Sequence, residues 1–166
     1  MLTPSKKISV GSLILVGMLL LFSQVQGESS FQGKVVGVTD GDTISVMRDG
    51  KAEKVRLAYI DCPEKRQAFG QKAKQFTSDM VFGKTVIIKI ESKDRYGRTI
   101  GEVLLENGDN LNQELLRAGL AWHYRKYSQV HFLSNLEEEA RSEHRGLWVD
   151  PNPVAPWEFR RPRRLN

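Results

Sequence analysis

Three short stretches hold the side chains that could do chemistry: Asp40-Gly41-Asp42-Thr43, Asp61-Cys62-Pro63-Glu64 and Asp94-Arg95-Tyr96-Gly97-Arg98. Each alone is first of all a turn or a strand exit, Pro63 enforcing an extended bend in the second. Arg56 differs, because it interrupts an otherwise apolar strand, Val55 to Ile60, and a buried cation needs partners. Taken together, the residues suit one kind of site. Asp42 ends one strand region and Asp61 the neighbouring one, so a hairpin fold can bring both carboxylates to one rim. Hard oxygen donors of that kind, with a backbone carbonyl and waters, suit Ca²⁺. Glu64, three residues past Asp61, can reach a metal-bound or neighbouring water. Arg56 and Arg98 are planar forks that stay charged and can grip a phosphate through two hydrogen bonds. Carboxylates for a cation, a carboxylate for water and two guanidiniums for an oxyanion describe phosphodiester hydrolysis.

Other chemistries find little support. His123, His131 and His144 lack the close pairing of a zinc site. The single cysteine, Cys62, excludes an internal disulfide, a CxxC redox centre and a cysteine-based metal cage, and reads as a small, partly buried side chain. The net charge of +5 on 166 residues arises at the ends, since residues 28–159 hold 19 basic against 20 acidic residues. Basicity alone therefore does not argue for a nucleic-acid partner, and any such argument must rest on the site.

The elements that must position these residues are short strands. Phe31 to Val38 reads as the first. Ile44 and Val46, then Val55, Leu57 and Tyr59, alternate on either side of Asp49-Gly50, a strong hairpin signal. Phe69, Ala73, Phe76 and Met80 recur at helical spacing up to Gly83. Thr85 to Glu91 and Thr99 to Leu105 are two more strands. Asn110 with Gln113 resembles an N-cap pair for a helix over 111–118 that Gly119 closes. A last helix is expected from about Ser128 to His144, with Phe132, Leu136 and Ala140 on one face. Five strands without βαβ alternation predict an α+β, mainly β, fold: a five-stranded barrel with about three flanking helices over 28–149.

The two ends differ from this domain. Residues 1–27 have a short basic start, an apolar stretch over 8–22 and small residues near 25–27, the layout of a secretory signal. Export to the outside or the periplasm is expected, with an uncleaved N-terminal anchor as the alternative and no other membrane contact. Residues 150–166 are rich in Pro and Arg and are expected to form an extended tail, tucked down by Trp157 and Phe159. Its four arginines read as a solubilising or disordered end more readily than as phosphate contacts.

The segments DGDTISV, VRLAYIDCPE and DRYGR, in that order and at comparable spacing, resemble the staphylococcal nuclease (thermonuclease) family. NLNQELLRAGLA and ARSEHRGLW continue the likeness, which covers Phe31 to Trp148. The resemblance implies an OB-fold barrel and Ca²⁺-dependent endonucleolytic cleavage of DNA and RNA to 3′-phosphates, by a monomer with no stable protein partner. It also implies that Asp42 and Asp61 are calcium carboxylates and that Cys62, where the family commonly has Thr, offers its main-chain carbonyl. Glu64 would be the general base or water-orienting residue, and Arg56 and Arg98 would bind the phosphate. Asp40 would lie behind the metal ligands or bind weakly, Tyr96 would lie beside the nucleotide, and a second such tyrosine is Tyr124 or Tyr127. The competing reading is a noncatalytic OB-fold module that binds nucleic acid through stacking and basic grooves.

Overall fold

The structure, a computed structural model, describes residues 29–161. The expected signal segment lies outside the described residues. Five strands close a barrel in the order β1 (Ser30–Asp40), β2 (Thr43–Arg48), β3 (Lys51–Leu57), β6 (Thr99–Leu105) and β5 (Thr85–Lys93). This is the five-stranded barrel expected from the strand count, and it is consistent with the OB-fold that the family resemblance implies. Its pairs are antiparallel except β3–β6, which run parallel and close the wall through Val55↔Thr99 and Leu57↔Gly101. The β2–β3 turn is at Asp49-Gly50, both at positive φ (49° and 77°), the left-handed pair that a two-residue hairpin requires. Inward alternation puts Val35, Ile44, Val46, Val55, Leu57, Ile88 and Val103 in a dry interior.

Two helices, α1 (Gly70–Val81) and α2 (Leu111–Arg117), pack on the barrel, and a third, α3 (His131–Ser142), packs on α2. Asn110 caps α2 by accepting from the N–H groups of Asn112 and Gln113, as its sequence position predicts. The third helix is shorter than expected. It starts after Val130, because Ser128 Oγ accepts the Val130 N–H and ties the preceding turn. Leu133, Leu136 and Ala140 face the core, while Phe132 is half-exposed under the Arg117 guanidinium. A two-stranded ribbon, β4 (Ile60–Asp61) with β7 (Trp122–His123), stands beside the barrel.

The C-terminal stretch corrects the expectation of an extended, solubilising tail as far as it is described. After a 3₁₀ turn over Gly146–Val149, it forms a short helix, α4 (Pro156–Phe159), with Ala155 and Pro156 buried. Trp157 does tuck it down, against Trp122 and Tyr124, but Phe159 is half-exposed.

Candidate active site

Strand register converts three distant stretches of sequence into one cleft. The β2–β3 pair sets Thr43 opposite Arg56, so Asp42, one residue before, meets the Arg56 guanidinium. The parallel pairing of Arg56 with Ile100 brings the start of β6, and with it the 94–98 loop, to the same end of the barrel. The chain then turns at Ala58-Tyr59, Tyr59 at φ 68°, and returns as β4, which pairs Asp61 with Trp122. Asp40, Asp42, Arg56, Asp61, Cys62, Glu64, Tyr96, Arg98, Tyr124 and Tyr127 all line this cleft of 1120 Å³.

Two glycines allow the close packing behind the cleft. A Cβ on Gly41 would stand 2.7 Å from Ala73 Cβ and 2.9 Å from Cys62 Sγ, so only glycine lets the acidic turn press onto α1. Gly70, at the start of α1, lies so close under the Glu64 carbonyl that a side chain there would collide with it. The short segment after Glu64 is thereby fixed, with the Gln67 N–H donating to the Glu64 carbonyl at 2.7 Å.

Arg56 has the partners that its apolar strand demanded. Nη1 lies 2.9 Å from Asp42 Oδ2 and donates to the carbonyls of Leu57 and Ile60 at 3.1 Å, and Nη2 donates to Asp61 Oδ1 at 2.8 Å. Burial works against its charge, but Asp42 and then Asp61 outweigh it and raise its pKa. Its terminal nitrogens are thus engaged by the two carboxylates before any phosphate arrives. Asp61 is 1% exposed. Asp42 also accepts the Cys62 N–H at 2.7 Å. Burial nonetheless pushes the Asp42 carboxyl up to about 7 against the pull of Arg56, with the neighbouring Asp40 and Asp61 charges adding to the rise. Cys62 is buried and burial holds its thiol well above the ordinary value, so the side chain is inert.

The opposite wall is the β5–β6 loop. Asp94 accepts from the backbone N–H groups of Tyr96 and Arg98 at 2.9 Å and from Arg98 Nε at 2.7 Å. Desolvation opposes the Asp94 charge, but these hydrogen bonds, Arg98's first, outweigh it and lower its pKa. Arg98 is therefore aimed by its own loop. Tyr96 stands out at 71% exposure with the Arg95 guanidinium over its ring. Across the cleft, Tyr124 packs edge-on to Tyr127 at 4.9 Å, and both line the rim.

The donor chemistry fits a hard divalent cation. Asp40, Asp42 and Asp61 present oxygen on one wall, and Asp40 Oδ1 is buried without a hydrogen-bond partner. Among the described residues, no three carboxylate, histidine or cysteine groups form a ready-made cage, since guanidiniums stand between the aspartates. The residue that sequence reasoning missed is Arg160, whose guanidinium lies on Asp61 and Glu64. No local pattern announces an arginine 96 and 99 positions away from its partners. Asp94, too, was legible only as loop decoration.

A barrel of this topology with acidic, basic and aromatic groups at one end is the architecture of a nucleic-acid-handling OB-fold protein. The profile of the family described as staphylococcal nuclease homologue matches residues 54–150, and the chain belongs to that family. A protein of Escherichia coli named as an uncharacterized endonuclease is 44% identical over 142 residues, which is 86% of this chain and 93% of that protein. A Haemophilus influenzae protein of the same name is 40% identical over 157 residues, 93% and 88% of the two chains. The micrococcal nuclease of Shigella flexneri is 39% identical over 153 residues, 86% and 88% respectively. The chain is thus a nuclease homologue along nearly its whole length.

Proposed function

We propose that this protein is an exported, calcium-dependent endonuclease that hydrolyses phosphodiester bonds of DNA and RNA with little sequence specificity, acting as a monomer. The observation that supports this most directly is the meeting of Asp42, Asp61, Glu64, Arg56 and Arg98 in one open cleft. Asp42 and Asp61 would hold the cation, with the Cys62 carbonyl beside them and Asp40 behind. Bound there, Ca²⁺ would supply Lewis-acid charge for phosphoryl transfer.

Glu64 is half-buried at the cleft wall, where it orients the attacking water and accepts its proton. As water adds to phosphorus, negative charge grows on the nonbridging oxygens. Arg98, pre-aimed by Asp94, lies where it can bind that charge as it develops. Arg56 adds a fixed positive field from beneath while holding the two aspartates. Tyr96 on one rim, with Tyr124 and Tyr127 on the other, offers ring faces to bases, and ring faces accept any base. The absence of sequence preference follows from that mode of binding.

Incubating purified residues 28–166 with DNA or RNA, with added Ca²⁺ or with EDTA, tests the proposal. Degradation of both polymers that EDTA abolishes is expected. Retarded but intact nucleic acid would identify a binding module instead. Export rests on the residue pattern over 1–27, and N-terminal sequencing of protein recovered outside the cytoplasm is expected to show that segment removed. No described helix is long and apolar enough to cross a membrane.

A further inference from the structure

The chain beyond residue 150 returns to the cleft as a strap. Ala155 and Pro156 are buried, and α4 lays Trp157 on Tyr124 with ring centroids 5.2 Å apart and planes within 2°. The next turn delivers Arg160. Its Nη2 donates to Asp61 Oδ2 at 2.6 Å, and its Nη1 donates to Glu64 Oε1 at 2.6 Å and to Asp61 Oδ1 at 3.2 Å. An ionised carboxylate accepts at about four lone-pair sites. On Asp61, Arg160 fills two and Arg56 a third, which leaves one on Oδ2. On Glu64, Arg160 takes Oε1, and Oε2 makes no hydrogen bond to another described residue. The strap also grips Glu64 from behind: the Glu64 N–H donates to Gln67 Oε1 at 3.1 Å, and Gln67 Nε2 donates to the Val154 carbonyl.

We infer that Arg160, outside the matched family region, is a positioning residue that fixes the Glu64 carboxylate beside Asp61 and leaves one Glu64 oxygen to face water. The inference rests on the function proposed above and names the part of the molecule that makes its water-handling group rigid. A free glutamate spreads over several rotamers. A guanidinium bound to it and to the 1%-exposed Asp61 selects one. The same contacts would leave a cation only one acceptor site on Asp61.

The test measures kcat and KM for an oligodeoxynucleotide at saturating Ca²⁺, in the full chain, for wild type, Arg160→Ala, Arg160→Lys, Glu64→Gln and the Arg160→Ala/Glu64→Gln double variant. Misplacing a reacting group by about 1 Å costs on the order of a hundredfold, so kcat of Arg160→Ala is expected to fall about ten- to a hundredfold, with KM within about threefold. Lysine, which keeps the charge but not the fork, recovers part of the loss. In the Glu64→Gln background, the alanine substitution is expected to cost less than about threefold, because no carboxylate remains to be placed. An equal cost in both backgrounds would mean that Arg160 grips the phosphate itself or only holds the fold, and would overturn the inference. Wild-type kcat in Arg160→Ala would do the same. Calorimetric Ca²⁺ binding without DNA is expected to be at least as tight in Arg160→Ala, since a neighbouring positive charge has gone. Weaker binding would make Arg160 a support for the cation rather than for Glu64. A wild-type chain that leaves DNA intact with Ca²⁺ would fail the proposed function before any substitution is made, which keeps the two failures apart.

Discussion

Arg56 and Glu64 stand in the same cleft, but their loss has different consequences. Arg56 lies between two buried carboxylates, and its removal leaves Asp42 with no other guanidinium at ion-pair distance among the described residues. Breaking one side of a buried ion pair costs about 3–5 kcal/mol. Arg56→Ala is therefore expected to lower the melting temperature in chelator, by several degrees at least, as well as the cleavage rate. Glu64 is half-exposed and supports nothing buried, so Glu64→Gln is expected to melt with wild type while cleaving at least about a hundredfold more slowly. Thermal denaturation and a DNA-digestion assay on both variants separate the two roles. A Glu64→Gln protein that cuts at wild-type speed, or an Arg56→Ala protein that melts with wild type, contradicts the assignment. At this scale, legibility followed distance along the chain. Asp42, Arg56, Asp61, Glu64 and Arg98 could be picked out because type and spacing sit within short segments. Arg160 could not, because its partners are chosen by the docking of Trp157 and Pro156, which no spacing encodes.

Elements were legible where one residue dictates the backbone. Asp49-Gly50 must adopt left-handed angles, and Asn110 must accept the first free amides of α2, so hairpin and helix start follow from those positions. The face of α3 was harder. Phe132, Leu136 and Ala140 share the helical period with Leu133, Leu136 and Ala140, and periodicity cannot choose between them. Packing chose Leu133 and placed Glu137 among the buried residues of the same helix. Glu137 Oε2 lies 2.7 Å from Arg125 Nη2, near enough for an ion pair but not aligned for a hydrogen bond. Oε1 lies 3.5 Å from Arg141, which is itself over the Trp148 ring. Burial raises the Glu137 pKa above its ordinary 4.5, and the two arginines only partly offset it. The folded chain then holds this proton at pH values where the unfolded chain has released it, so Glu137's contribution to stability is full below about 4.5 and lost as the pH rises above it. Glutamine has no such proton. The difference in melting temperature, Glu137→Gln minus wild type, is expected to grow more positive between about pH 4.5 and 7. A difference that falls over that window would mean that Arg125 and Arg141 outweigh burial.

The whole molecule is larger than the barrel and its three helices. A chain ended at residue 149 would keep all five barrel strands and the family match almost to its end. It would lose the buried Ala155 and Pro156, the Pro153 and Val154 wall of the groove beside Trp122 and Leu147, and the stack of Trp157 on Tyr124. An aromatic pair contributes about 0.5–1.5 kcal/mol beyond the area it buries, and Trp157 contacts two rings. About 2–3 kcal/mol is therefore at stake, and for a domain of this size each kcal/mol moves the melting temperature by about 2–4 °C. Deleting residues 150–166 is expected to lower it by about 5–10 °C in chelator, whereas deleting only 161–166 leaves it unchanged. If both deletions melt with wild type, the strap adds nothing to the fold, and its hold on Tyr124 and Glu64 is too weak to order either. If only the longer deletion destabilises, the C-terminal segment belongs to the domain, and the cleft is assembled from both ends of the described chain: the acidic turn after β1 and the arginine after α4.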